Sequence, residues 1–399
     1  MSTPWLTLIG MTEDGILASG GKEALERADI VYGGTRHLAH TGDVSAEKRG
    51  WPRPFTDVFE ELKTLKPRQV AILATGDPMW FGVGASLTGQ FARGEMRILP
   101  SPSAFQLAAA KMGWPLQDCD CVSVHGRPIG LLRSMLYPGA KILALTSNGG
   151  APRDIATLLA SEGFGRSQVT ALEHLGGPEE RLIQSSATDW CDTTADLNTV
   201  ALDVIPDTGT RFRSRCPGLP DDAFHHDGKM TKQDIRAVTL AELKPYPGAV
   251  LWDIGAGCGS VAIEWLRAAD RTSAIGLEPH PDRRAMAAEN AQALGVPHLV
   301  LNDGTAPEGL QGLPQPDAIF IGGGLTTPGV LEKCHEILQP GGRLVANAVT
   351  LESEAILLQA FQEFGGGLKK ISVHRARAVG NLTGWQPLMP VTQWSLTKS

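Results

Sequence analysis

The residues whose types and spacing best suit chemistry lie in the second half of the 399-residue chain. Asp253, Gly255, Gly257 and Gly259 stand at alternate positions within Leu251-Trp252-Asp253-Ile254-Gly255-Ala256-Gly257-Cys258-Gly259-Ser260. An apolar run precedes them and a helical pattern follows, so the segment reads as strand, tight loop and helix N-terminus. Such glycines let the backbone turn sharply and approach a ligand closely. The helix that follows offers unpaired N–H groups. A dinucleotide loop would carry its third glycine where Ser260 stands. The G-x-G-x-G spacing points instead to S-adenosylmethionine (SAM), which has no pyrophosphate to cradle. Taken alone, the loop is equally compatible with an ordinary tight turn.

The ends of the following strands strengthen the ligand reading. The next strand closes at Glu278, where a carboxylate can accept both ribose hydroxyls. The third closes at Asp303-Gly304, where an acidic side chain can meet an adenine amino group. The fourth closes at Gly322-Gly323-Gly324, which leaves open space above the sheet. These ends share one edge of a parallel sheet, where open α/β folds bind ligands. Upstream, Thr231 with Asp234 three residues on has the spacing of a capping box that starts a helix.

The first half carries weaker signals. Gly76-Asp77-Pro78 follows the apolar run Val70 to Ala74, and Ser103-Ala104 opens an Ala-rich helical stretch. Arg36 lies in Gly33-Gly34-Thr35-Arg36-His37, and His125 and Arg127 flank Gly126 after another apolar run. Each has a plain alternative: a turn, a helix cap, or a solvated surface side chain.

These residues need elements to position them. Glycine-punctuated alternation of apolar runs and helical periods predicts α/β layers throughout. The expected domains are 1–205, a connector over 206–228 rich in Pro and Gly with Arg211, Arg213 and Arg215 solvated, and 229–399. Trp252 and Trp265 are expected in the core; Trp385 either packs or stacks on a ligand. A net charge of −7 argues against nucleic acid as a partner. The six cysteines form no CxxC pair and His225-His226 lacks partner ligands, so no metal site is expected. No apolar run is long enough to span a membrane or to form a secretion signal, so the cytoplasm is the expected compartment.

The first half resembles the tetrapyrrole methylase family, through Val31 to His37, Leu73 to Pro78, Pro100 to Phe105 and Ser123 to Arg127. It departs from the usual opening G-x-G-P-G loop, having Gly10-Met11-Thr12-Glu13-Asp14-Gly15, so cofactor contact is expected at Gly76-Asp77-Pro78 and not at Gly10. The second half resembles the decarboxylating precorrin methyltransferases with a Rossmann-like fold, through Met230-Thr231-Lys232, the glycine loop and Thr350 to Glu354. Together the resemblances imply two SAM sites, one per domain. The first is expected at Gly76, Asp77, Pro78, Ser103 and Ala104. The second is expected at Thr231, Asp253, Gly255, Gly257, Gly259, Glu278, Asp303 and Gly304. They imply methylation of two meso carbons of a precorrin tetrapyrrole and loss of carbon dioxide from an acetate arm. Arg36, His125, Arg127, Arg375 and Arg377 are the candidates for its carboxylates, or else solvated surface groups. No catalytic acid is singled out. Self-association into a homo-oligomer is expected. The competing readings are a SAM-dependent methyltransferase of RNA or another small molecule, and a SAM-binding protein without catalysis; turnover of a precorrin separates them.

Overall fold

A computed structural model describes residues 4–399. They fall into two compact units, residues 4–129 with 137–211, and residues 212–399 with Gly130–Leu136.

The first unit holds two five-stranded sheets. Strands β1 (Leu6–Met11), β2 (Ile30–Tyr32), β3 (Glu47–Arg49), β4 (Val70–Thr75) and β5 (Met96–Leu99) form an all-parallel sheet in the order β3-β2-β4-β1-β5. The apolar runs are continuous because both faces are covered. Leu6, Leu8, Val70 and Ile72 enter one core, and Ile9, Met11, Ala71 and Leu73 enter the other. The second sheet comprises β6 (Asp120–Ser123), β7 (Lys141–Leu145), β8 (Gln168–Glu173), β9 (Arg181–Ser186) and β10 (Asn198–Asp203), in the order β6-β7-β10-β8-β9. Only β6 and β7 run parallel; the other pairings are antiparallel.

The second unit is one seven-stranded sheet. It takes β11 (Val250–Ile254), β12 (Ser273–Leu277), β13 (Val300–Asn302), β14 (Ala318–Ile321), β15 (Arg343–Ala348), β16 (Gly367–Ile371) and β19 (Val391–Thr397), in the order β13-β12-β11-β14-β15-β19-β16. The first five strands are parallel, and β19 runs antiparallel between β15 and β16. Between β16 and β19 the chain makes a separate hairpin, β17 (His374–Val379) with β18 (Leu382–Pro387). Trp252 and Trp265 lie in the core, as their apolar settings suggest; Trp385 sits exposed on the hairpin.

The segment 206–228 is not a free connector. Asp207 accepts hydrogen bonds from the Gly165 and Arg166 N–H groups of the first unit. From Phe212 onward the chain packs on the second unit, where Leu219 and Phe224 are buried in its core. Arg215 donates to the Arg267 carbonyl (2.8 Å) and pairs with Asp270, so it is not simply solvated. The fastening is an ionic cluster around the buried Arg236 and Glu264. The Arg236 guanidinium meets Glu264 at 2.6 Å, the Thr231 carbonyl at 2.6 Å, Asp221 and the Leu219 carbonyl, and it lies over the Phe224 ring. Glu264 in turn accepts from the Gly218 and Leu219 N–H groups. Proline and glycine hide this role because they break periodicity whether a segment is loose or clamped. Nor does Thr231 cap the helix Gln233–Leu243. Lys232 holds the cap position, and the first helical N–H is satisfied by Asp221 from twelve residues upstream (2.8 Å).

Candidate functional site

In the second unit the strap just described, the glycine loop and the ends of β14 and β15 enclose a cavity of about 500 Å³ at the carboxyl edge of the sheet. Lys229, Thr231 and Lys232 come from the residues that continue the strap to the helix Gln233–Leu243, Asp253 from β11, Gly257 from the loop, and Asn347 from β15. A second cavity of about 480 Å³ lies at Arg343, Ser395 and Lys398. It opens at the opposite edge of the sheet, where open α/β folds do not bind ligands.

The three loop glycines have separate reasons to be glycine. All have φ in the left-handed region, at 71°, 57° and 78° for Gly255, Gly257 and Gly259. A Cβ on Gly255 would meet Gly323 Cα at 2.6 Å, so this residue packs loop on loop. A Cβ on Gly259 would press on Ala287 (3.1 Å) of the helix Pro281–Ala293. At Gly257 the nearest atom is Lys229 O at 3.7 Å, so the missing side chain leaves room in the cavity itself.

Asp253 is 1% exposed. Its Oδ2 accepts the Ala262 N–H (3.0 Å), while Oδ1, though buried, has no partner. Burial, abetted by the nearby Glu278 charge, pushes the carboxyl up to about 7. Because the folded value lies above the unfolded 3.8, the folded state holds the extra proton in between. The group's stabilising contribution is full below about pH 4 and is lost as pH rises through about 7. Melts of the ligand-free protein are therefore expected to show wild type losing stability relative to Asp253→Asn between pH 4 and pH 7. Parallel melting curves across that range would contradict this.

Glu278 is buried, but it does not line the cavity. Its Oε2 accepts the Gly257 N–H (2.9 Å) and its Oε1 the His280 N–H (3.1 Å), so it braces the loop. Each oxygen keeps a lone pair for a ligand hydroxyl. Asp303 stands exposed at the end of β13, on the same sheet edge but outside the cavity. Gly304 packs against Gly309, a Cβ there meeting Gly309 Cα at 3.0 Å. Arg375 pairs with Asp234 (2.7 Å) and Asp221 (3.9 Å), so it is not a solvated surface group without partners. Arg377 is exposed on the hairpin.

In the first unit the edge at β1 and β4 encloses only about 50 Å³, lined by Thr12, Thr75, Gly76, Pro102 and Ala104 among others. Gly76 has φ 63°, and a Cβ there would strike Ser103 Cα at 2.8 Å. Asp77 Oδ1 accepts the Met79 N–H (2.8 Å), and the following proline's carbonyl accepts the Gly84 N–H. Ser103 is spent as a helix cap, exchanging hydrogen bonds with Gln106. Gly10 packs against the Gly76 carbonyl, which accounts for glycine without a ligand. Arg36 pairs with Glu13 and donates to Thr75 Oγ1 (3.0 Å), so it too is not free. His37 Nε2 meets the same hydroxyl at 2.8 Å; burial and the Arg36 charge hold this imidazole at about 4, hence neutral at pH 7. His125 Nδ1 lies 3.0 Å from the Thr146 carbonyl, and the Arg127 guanidinium 5.9 Å from the Phe81 ring centroid.

Sequence reasoning missed Lys229 and Asn347 in the second unit and His174 in the first, and it quoted Lys232, Glu13, Thr75 and His37 within motifs without assigning them to a site. Lys229 and Lys232 were legible only as neighbours of Thr231. His174 reaches Glu13 (3.5 Å) from another sheet, a contact no local spacing encodes. Among the described residues no cluster of His, Cys, Asp and Glu is arranged for a metal ion, and no helix is long and apolar enough to cross a membrane.

A parallel sheet with a glycine loop after its central strand, and a cavity at its carboxyl edge, defines the class: a SAM-dependent methyltransferase. A Sinorhizobium protein named precorrin-6Y C(5,15)-methyltransferase [decarboxylating] is 48% identical over 99% of this chain and 97% of its own length. The chain belongs to that family of decarboxylating precorrin methyltransferases. A Mycobacterium tuberculosis protein of the same name is 39% identical over 98% of this chain and its own full length. The family described as tetrapyrrole (corrin/porphyrin) methylases matches residues 9–190, and the precorrin methyltransferase domain matches residues 222–398. Among solved structures, the C-terminal domain of precorrin-6Y C5,15-methyltransferase from Rhodobacter capsulatus is 45% identical, covering 46% of this chain and 98% of that one, with a TM-score of 0.44.

Proposed function

We propose that the chain methylates precorrin-6Y at carbons 5 and 15 and removes the ring C acetate carboxylate as carbon dioxide, giving precorrin-8 in cobalamin biosynthesis. The observation that carries this reading is full-length similarity to a relative of that name in a chain whose two units each present a glycine loop at a sheet edge. We further propose two SAM sites, one per unit, and assign carbon 15 and the decarboxylation to the second unit and carbon 5 to the first.

The second unit's residues fit the cofactor. The unpartnered buried Asp253 Oδ1 suits a cationic amino group, and Gly257 leaves the space a side chain would fill. When bound, SAM supplies an electrophilic methyl group. Asp253, Gly255, Gly257 and Thr231 would hold it, with Glu278 and Asp303 toward the nucleoside. Phe320 and Val391 keep water from the floor of the cavity, and Lys229 and Lys232 offer cations to substrate carboxylates. Carbon of an enamine-like macrocycle is already nucleophilic, so the protein's share is orientation and exclusion of water. In the decarboxylation the carbon–carbon bond to the carboxylate breaks, its electron pair flows into a protonated imine of the macrocycle, and the exocyclic carbon then takes up a proton. The first unit encloses too little space at its edge to derive a step through the cofactor there; family membership and the Gly76-Asp77-Pro78 loop support that site.

Self-association and a cytoplasmic setting belong to the same proposal. The exposed Val379, Leu382 and Trp385 of the hairpin offer a surface for a second copy. Incubation of the purified protein with precorrin-6Y and methyl-labelled SAM tests the central reading. Two methyl additions and one carbon dioxide per macrocycle are expected; absence of either methyl addition or of carbon dioxide overturns it.

A further inference from the structure

The loop after Gly76 exposes large apolar side chains. Met79, Trp80 and Phe81 are 39%, 38% and 44% exposed, in consecutive positions at the ligand edge of the first sheet. Such surface is normally withdrawn from water. Here the backbone holds it outward. The Asp77 carboxylate accepts the Met79 N–H, and Trp80 N donates to the Asp77 carbonyl (3.2 Å). Gly84 N donates to the Pro78 carbonyl (2.8 Å). A Cβ on Gly82 would lie 2.5 Å from Pro78 O, and one on Gly84 2.7 Å from the same oxygen, so the chain closes as tightly as glycine permits.

Phe81 pays for its position with a φ of 55°, in the left-handed region that a bulky non-glycine residue rarely adopts. Strain of this kind persists where the surroundings over-determine it, and it gathers at ligand sites. Behind the pair, fully buried Phe105 packs against both rings, with centroids 5.7 Å from Trp80 and 5.6 Å from Phe81. The exposed Arg127 guanidinium stands over Phe81, 5.9 Å from its centroid. The result is an aromatic surface with a rigid backing and a cation at its border, next to the Gly76 loop.

We propose that Trp80 and Phe81 form a stacking platform for the macrocycle of a tetrapyrrole polycarboxylate, with Arg127 pairing one of its carboxylates. This rests on the function proposed above and adds the surface that positions the methyl acceptor in the first unit. A flat conjugated macrocycle bordered by carboxylates matches both halves of the patch. Aromatic faces take offset-stacked rings, and a forked guanidinium takes a carboxylate. A protein partner would bury the same rings without needing a macrocycle, and the test separates the two.

The full chain is titrated with uroporphyrin, a metal-free tetrapyrrole octacarboxylate, and the KM for precorrin is measured for addition of each methyl group. Phe81→Ala, Trp80→Ala and Arg127→Ala are each expected to weaken uroporphyrin binding and to raise the KM of one methyl addition by about tenfold or more. The KM for SAM, the other methyl addition and carbon dioxide release stay unchanged and report intact folding. Phe81→Tyr, which keeps the ring, is expected to restore most of the uroporphyrin affinity that Phe81→Ala loses. Uroporphyrin affinity and KM within twofold of wild type in both Ala variants of the aromatic pair would overturn the platform. If the wild-type chain transfers no methyl group at all, the proposed function falls, and the uroporphyrin titration still decides the platform by itself.

Discussion

Gly257→Val is expected to abolish one methyl addition together with carbon dioxide release, and to leave the other methyl addition in place. Of the three loop glycines this is the informative one. Substitution at Gly255 drives a side chain into Gly323, and at Gly259 into Ala287, so those variants report on packing. At Gly257 a new side chain enters the cavity. A valine there also has to accept φ near 57°, which a β-branched residue resists. Both effects bear on the ligand-facing turn. A misplacement of about 1 Å already costs about 100-fold in rate, so the loss is expected to be at least that large. Counting labelled methyl groups and carbon dioxide per macrocycle checks it. Carbon dioxide release at the wild-type rate would mean that decarboxylation does not depend on this loop.

Arg236→Met is expected to destabilise the second unit by about 3–5 kcal/mol, the usual cost of leaving a buried partner charge unpaired. Arg236 and Glu264 are both buried, and Asp221, the Leu219 carbonyl and the Thr231 carbonyl depend on the same guanidinium. Removing it unfastens the strap that carries Lys229 to Lys232 over the cavity. SAM binding at that site should therefore weaken along with the urea midpoint. The double variant Arg236→Met/Glu264→Leu is expected to recover only part of the stability: it removes the unpaired charge of Glu264, but the Gly218 and Leu219 N–H groups then lose their acceptor. A midpoint for Arg236→Met within about 0.5 kcal/mol of wild type would show that the strap is held by other contacts.

What could be read from the residues was what local periodicity encodes. The central parallel strands announced themselves because they are buried on both faces: Val70 to Ala74 and Ala249 to Ile254 alternate between two cores and so look apolar, Asp253 excepted. The glycine loop was legible because left-handed backbone angles demand glycine in a fixed rhythm. Strands such as β9 (Arg181–Ser186) and β16 (Gly367–Ile371) were not seen, because they lie at sheet edges with no buried residue and lack an apolar signature. The strap was misread for a different reason. Its fixing points are Asp221 and the buried Arg236 and Glu264, charged residues far apart in sequence, whose pairing leaves no mark on composition. The roles of Ser103 and Arg375 were ambiguous for the same reason, since a cap or an ion pair uses the same side chains that a ligand would.

The position of β19 bears on how the second unit is made. This strand is the last of the seven in sequence, yet it lies between β15 and β16. As the chain leaves the ribosome, β16 emerges with nothing to pair with, and β15 keeps an open edge. Both are completed in one step when residues 391–397 arrive, antiparallel to each neighbour. The order of synthesis and the order of the sheet are thus at odds at this edge. The floor of the cavity, to which Val391 contributes, is finished only after translation has passed almost every other residue that lines it.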